Sequence, residues 1–333
     1  MTIPLLSFFE YTVRFGSLPM MHKLRVAVVG TGHLGSVHAA IYARMPEVEL
    51  VGVVDVDAST AERVASECHC EILAPGTSLS GQVDAVSVAV PTLRHREVAE
   101  PILADGIPVL LEKPVAHSLE DARAIVKCAL SSGAILLIGH LERFNAGVIR
   151  LSEELDQPRF IEVHRLGEFV ERASDVDVVT DLMIHDIDIV LSLVSAELKY
   201  ISAVGARVVT DHVDIANARL EFEDGAIANV TASRVSQSTF RRIRIFGKAC
   251  YLGLNFRDQQ IDAVRPGPPP ANGGFPPMLS QTINVTPRPP LEAELEHFIQ
   301  CVRTGETPLV SGVEGVRALE VAHEVRTRIT GSL

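Results

Sequence analysis

The alternation of apolar runs predicts an α/β protein: a doubly wound parallel sheet first, then an α+β domain with a mostly antiparallel sheet. Over residues 23–140, short β-branched runs alternate with helical patterns, the order that parallel strands joined by helices require. After residue 140, strand-like runs follow one another directly, as antiparallel strands do. The length of 333 residues also suits two domains. These are expected as a parallel-sheet unit over 23–140 and an α+β unit over 141–333, preceded by an extension over 1–22.

The first element carries the clearest chemistry. Residues 24–29 form a short apolar run, and Gly30-Thr31-Gly32-His33-Leu34-Gly35 follows at once. Gly30 permits a tight turn out of the strand, and Gly32 lets the backbone approach a pyrophosphate. Gly35 lets the next helix pack close to the sheet, with the N–H groups of its first turn facing the anion. A GxGxxG alone is weak, but here it lies between a strand and a helix, where a Rossmann nucleotide site needs it. The next strand, 50–54, ends at Asp55, placed to accept hydrogen bonds from an adenosine ribose. No Arg follows directly, so NAD is expected over NADP.

Residues 58–67 then read as a helix, 83–90 as a strand ending at Pro91-Thr92, and 95–105 as a helix bent at Pro101. A buried strand over 109–111 leads into Glu112-Lys113-Pro114. Ser118 is placed to cap a helix to about residue 131, and 135–138 is the next strand. Helices are expected over 145–155 and 178–194, with strands over 160–169, 200–209, 215–222, 227–233 and 240–246. Asp224-Gly225 suits a hairpin turn. The Pro- and Gly-rich stretch 265–290 reads as a long loop. Terminal helices over 291–303 and 315–329 are expected to fold back on the first domain.

Composition narrows the function. Hydrophobic residues make up 47%, enough for sizeable cores, and the net charge is −12, from 30 basic and 42 acidic residues. That balance opposes nucleic acid as the main partner, because a phosphate backbone requires a basic footprint. Five scattered cysteines suit a reducing cytoplasm. Cys68-His69-Cys70 lacks the second cluster that a structural zinc site needs, so no metal is expected. Residues 1–20 are apolar but have no basic n-region, and no run is long enough to cross a membrane. The leader reads as dispensable, with Met20 or Met21 as an alternative start.

Two segments could perform chemistry. Lys113 falls at the carboxyl end of a parallel strand, where ligands of such sheets bind, and Pro114 keeps it out of helical angles. A lysine there could relay charge from a substrate hydroxyl as hydride leaves the carbon. The 178–194 helix is apolar nearly all round, yet Asp181, His185, Asp188 and Ser192 share one face. A polar stripe on a buried helix needs partners or a wet cavity. A His beside an Asp could be a general acid or base. A structural polar network also suits the stripe, and a metal less well.

Taken together, GTGHLG with Asp55, Pro91-Thr92 with His95, Glu112-Lys113-Pro114, and Asp181-x-x-x-His185-x-x-Asp188 resemble the glucose–fructose oxidoreductase / inositol dehydrogenase family. The resemblance runs from residue 23 to the C-terminus. It implies an open-faced second sheet whose exposed side mediates oligomerisation or substrate cover, NAD held by Gly30–Gly35, Asp55, Pro91, Thr92, His95, Glu112 and Lys113, and a homodimer or homotetramer. It further implies Lys113 and His185 as the acid/base pair, with Asp181 beside them. Met183 departs from the Gly of the family's Asp-x-Gly-x-His. Residues 139–145 and 181–188 are similar to the branch that oxidises the C3 hydroxyl of UDP-N-acetylglucosamine, although Ala146 replaces that branch's Pro. Candidate substrate contacts are Arg143, Asn145, Arg165, Arg172 and Asp188, the arginines for a diphosphate or uronate.

Overall fold

The computed structural model describes residues 22–170 and 176–331. Its first half is a parallel sheet of β1 (Leu24–Val29), β2 (Val48–Val54), β3 (Glu71–Ile72), β4 (Ala85–Val88), β5 (Val109–Glu112) and β6 (Leu136–Gly139), in the order β3-β2-β1-β4-β5-β6. The order reverses at β1 and β4, which opens a crevice at their carboxyl ends. Helices α1 (His33–Arg44), α2 (Ala58–Cys68), α3 (His95–Ala104) and α4 (Leu119–Ser132) join the strands. Asp57 caps α2 by accepting from the Ser59 and Thr60 N–H groups, and Ser118 caps α4 by accepting from the Asp121 N–H. Each cap satisfies donors that a helix start leaves unpaired.

After α5 (Ala146–Glu154), a second sheet gathers β7 (Phe160–Leu166), β8 (Leu198–Ala206), β9 (Ile215–Phe222), β10 (Ile227–Ser233), β11 (Phe240–Phe246), β12 (Tyr251–Asn255), β13 (Gln260–Pro266) and β14 (Met278–Ile283). Their order is β14-β13-β12-β11-β7-β10-β9-β8. All neighbours are antiparallel except β7 and β10, which run parallel. The exception arises because α6 (Ile184–Leu193), β8 and β9 intervene between them, a crossover rather than a hairpin. Burial alternates strictly along β7 and β9, so one face packs inward and the other stays partly exposed. Helix α6 lies on the inward face against β7 and β10.

Two expectations need correction. The 265–290 stretch is not loop throughout: β13 reaches Pro266 and β14 pairs with it as an edge strand. Nearly every residue of β14 is exposed, so no apolar alternation marks it, and prolines are tolerated around an edge. The 178–194 helix is also not α-helical throughout, since Val179–Met183 forms a π-turn before α6. The extension over 1–21 and Arg172 lie outside the described residues.

The last helices, α7 (Pro290–Thr304) and α8 (Gly312–Thr330), tie the halves together. Helix α7 packs on α1, and α8 packs on α4 and β6 as well as on α6 and β8. The Ile138 N–H donates to the Val310 carbonyl at 3.0 Å, extending the edge of the first sheet. Arg326 of α8 pairs at 3.0 Å with Asp177, which accepts from the Val179 and Thr180 N–H groups at the start of the π-turn. Among the described residues, no helix is long and apolar enough to cross a membrane.

Candidate active site

The glycine turn is shaped by sterics. Gly30 has φ +89°, and a Cβ there would stand 2.6 Å from the Ala89 carbonyl oxygen. A Cβ on Gly35 would stand 1.7 Å from the Gly30 carbonyl oxygen, so helix and turn could not approach. Gly32 differs, since a Cβ there meets nothing within 4 Å. It borders a cleft of about 1390 Å³, lined also by Gly30, His33, Leu34, Asp55 and Pro91. Asp55 Oδ2 accepts from the Thr31 N–H at 2.6 Å and the Thr31 hydroxyl at 2.8 Å, and Oδ1 accepts from the Asp57 N–H at 2.9 Å. Burial pushes the Asp55 carboxyl up, but these bonds outweigh it and hold the group below its ordinary range. A bare Gly32 over the first turn of α1 and an ionised carboxylate at the end of β2 fit the pyrophosphate and ribose of a dinucleotide.

Two residues expected at this site, His95 and Glu112, have other engagements. His95 is buried, with Nδ1 3.0 Å from the Pro114 carbonyl and Nε2 3.0 Å from the Val90 carbonyl. It braces the end of β4 against the turn after β5. Thr92 opens a short 3-10 turn, Thr92–Arg94, that leads into α3. Glu112 turns inward, with Oε1 3.1 Å from His38 Nε2, while His38 Nδ1 lies 2.8 Å from the Ser87 hydroxyl.

Lys113, Asp181 and His185 arrive from two distant segments. Lys113 leaves the end of β5 ahead of a cis peptide to Pro114. Its ammonium donates to the Asp181 backbone carbonyl at 2.8 Å and lies 3.5 Å from Asp181 Oδ1. The π-turn thus offers a carbonyl as well as a carboxylate to the lysine. His185, in the first turn of α6, is buried, and its Nδ1 lacks a hydrogen-bond partner. Burial, then the charges of Lys113 and Arg165, hold its pKa well below that of an ordinary imidazole. His140 follows β6 and meets the His185 ring edge-on, with centroids 6.0 Å apart. Burial and the Lys113 and Arg143 charges push His140 down to about 3. Two neutral imidazoles therefore stand beside one ammonium.

The expected substrate contacts divide. Arg143 Nη1 lies 3.5 Å from Asp188 Oδ1, and Asp188 Oδ2 has no hydrogen-bond partner. Burial pushes the Asp188 carboxyl up to about 7, against the pull of Arg143. Arg165 faces inward: Nε and Nη2 donate to both Asp186 oxygens at 2.9 and 2.7 Å, and Nη1 donates to Glu142 Oε1 at 2.7 Å. Its guanidinium also lies over the Phe256 ring. Asn145 caps α5 by accepting from the Gly147 N–H and donates to the Phe256 carbonyl. The geometry makes Arg165 and Asn145 struts of the site's floor, not groups presented to a ligand.

Some residues around the site escaped sequence reasoning. His140 stands at the carboxyl end of a parallel strand, a placement that could have singled it out. His38 and Glu294 carried no such signal. Glu294, on α7, is fully buried without hydrogen-bond partners, and burial holds its pKa well above the ordinary value. Arg241 joins the group only through the pairing of β11 with β7. Among the described residues, no three His, Cys, Asp or Glu side chains are grouped to hold a metal ion.

Comparison with known proteins assigns both halves. Residues 24–140 match the profile of the oxidoreductase family with an NAD-binding Rossmann fold, and residues 148–252 match the GFO/IDH/MocA C-terminal domain. The chain is 36% identical over 315 residues to the UDP-N-acetylglucosamine 3-dehydrogenase of Acidithiobacillus ferrooxidans, spanning 94% of this chain and 99% of that protein. It is 28% identical over 333 residues to a scyllo-inositol 2-dehydrogenase (NAD(+)) of Bacillus subtilis, spanning 91% and 93%. A solved structure of the Acidithiobacillus enzyme superposes with a TM-score of 0.85 at 35% identity, covering 93% of this chain and 98% of that one. The chain therefore belongs to the GFO/IDH/MocA family of NAD-binding oxidoreductases.

Proposed function

We propose that the protein oxidises a secondary hydroxyl of a sugar nucleotide, C3 of UDP-N-acetylglucosamine, to a ketone. The observation that carries this reading is the meeting of Lys113, Asp181 and His185, within a chain similar along its length to a UDP-N-acetylglucosamine 3-dehydrogenase. When bound, NAD supplies the hydride acceptor. The chain's own task is to orient the hydroxyl and remove its proton. Lys113, steered by the Asp181 carbonyl, donates a hydrogen bond to the hydroxyl oxygen and stabilises the negative charge that grows there. His185, neutral through burial, takes the proton on a ring nitrogen. Holding both groups on rigid elements gives them a fixed geometry toward the reacting carbon.

A second reading, oxidation of a free inositol, is favoured by the likeness to the scyllo-inositol enzyme. Steady-state NADH formation separates the two. UDP-N-acetylglucosamine should be turned over far more efficiently than N-acetylglucosamine or inositol. Equal efficiency on inositol, or no turnover of any UDP-sugar, would overturn the sugar-nucleotide assignment. Unchanged turnover by Lys113→Ala and His185→Ala would remove the assigned chemistry.

A further inference from the structure

A substrate with a diphosphate needs a cation in a protein of net charge −12, and the two described arginines first expected to meet it are engaged. Arg165 is enclosed by Asp186 and Glu142, and Arg143 is turned to Asp188. Arg241 is different. It lies on β11 directly opposite Arg165 on β7. Residues two apart on a strand share a face, so Arg241 shares the inward face with Ile243 and Ile245, both fully buried. At the strand's first turn of cover this face opens, and the Arg241 side chain is 47% exposed.

The position is only partly compensated by the carboxylates around it. Like charges directly opposite across a strand pair repel. The carboxylate nearest Arg241 is Glu142, whose Oε1 is 4.0 Å away and already accepts from Arg165 at 2.7 Å. Burial and the Arg165 charge lower the Arg241 pKa against the pull of Glu142 and Asp186, and Arg241 in turn bears on His185 and Asp186. The guanidinium therefore lies within electrostatic reach of the catalytic histidine, on the sheet side of it, while the nucleotide cleft is bounded by the first sheet.

Resting on the sugar-nucleotide reading, we propose that Arg241 takes the diphosphate of the substrate. The sugar then lies between Arg241 and the first sheet, over His185. A planar guanidinium with unspent donors suits this role, since it can contact two phosphate oxygens at once. The diphosphate would also add to the counter-charge that Arg241 otherwise draws from Glu142 and Asp186, both of which are bonded to Arg165.

The test uses the full chain with NADH or NAD bound, comparing wild type, Arg241→Gln and Arg241→Lys. Kinetics with UDP-N-acetylglucosamine are read beside equilibrium binding of UDP at low and high salt. Losing a charged hydrogen bond should raise KM and the UDP Kd by about 10–100-fold. The change should fall on KM more than on kcat, as expected for binding shared by ground and transition states. Arg241→Lys should recover part of the affinity, and the Gln variant should show a weaker salt dependence. A UDP Kd within twofold of wild type in Arg241→Gln would overturn the proposal, whether or not the melting temperature falls. Wild-type protein that binds no UDP would instead sink the sugar-nucleotide reading, and this proposal with it.

Discussion

The nucleotide cleft and the proposed catalytic junction are built by opposite means. The cleft comes from one short stretch, a glycine turn and the strand after it, and its selectivity rests on backbone shape and one carboxylate. The junction comes from the ends of β5 and β6 and a buried helix start some seventy residues on, and it is made of side chains. A backbone site tolerates change around it provided its glycines stay. A side-chain site depends on each charge having the right neighbours in a dry interior, where an unpaired group is costly.

The largest effects are expected at the junction. Lys113→Ala and His185→Ala should each reduce turnover by about 10²–10⁴-fold, with NADH affinity near wild type by fluorescence titration. If either variant lost NADH binding as well, the two regions would not be separable. The next effect concerns the floor. Arg165→Met leaves Asp186 and Glu142 facing each other without their cation, a loss of about 3–5 kcal/mol for a broken buried pair. Denaturant unfolding measures it, and a change below 1 kcal/mol would mean that Arg165 is not the strut described.

Within the cleft, two glycines should part company. Gly35→Ala forces a methyl 1.7 Å from a carbonyl oxygen and should lower the melting temperature, whereas Gly32→Ala meets no protein atom and should not. Gly32→Ala should instead weaken NADH binding, because the added methyl occupies the approach to the pyrophosphate. Equal thermal losses in both variants would contradict the steric account. The smallest effect is a pH shift. His185 must be neutral to accept a proton, and its pKa is depressed by burial and nearby cations. Activity should therefore hold as pH falls to about 6.5, the ordinary histidine value, and decline only below it. An acid limb centred above that value would assign the base elsewhere.

Much of this was legible in the chain, for uneven reasons. Gly30, Gly32, Gly35 and Asp55 announce themselves because a nucleotide turn is local and its spacing is fixed by backbone geometry. Lys113 and the Asp181–His185 stripe were visible because polar groups stand out on apolar elements. The surroundings of Arg165 were partly legible, since its parity with Ile161 and Val163 along β7 marks it as inward-facing. Those of His95 were not, since both its ring nitrogens face backbone carbonyls that only the folded chain brings near. Arg241 was invisible because its significance depends on which strand pairs with β11, and no local pattern states that. The edge strand β14 was hidden because exposed strands need no hydrophobic alternation.

The π-turn over Val179–Met183 has a consequence for how this helix could change over evolutionary time. Such a turn amounts to one residue inserted into an otherwise regular helix. Deleting a single residue within it would restore α-helical winding and leave α6 in nearly the same phase, because the wider turn is what takes up the extra residue. The composition of the helix would hardly differ, and its apolar circumference would still pack. Yet the Asp181 carbonyl, now offered to Lys113, would be drawn back toward the helix's own hydrogen-bond ladder. The extra residue acts locally: the helix's hydrophobicity secures the fold, while the widened turn frees a backbone carbonyl for the lysine.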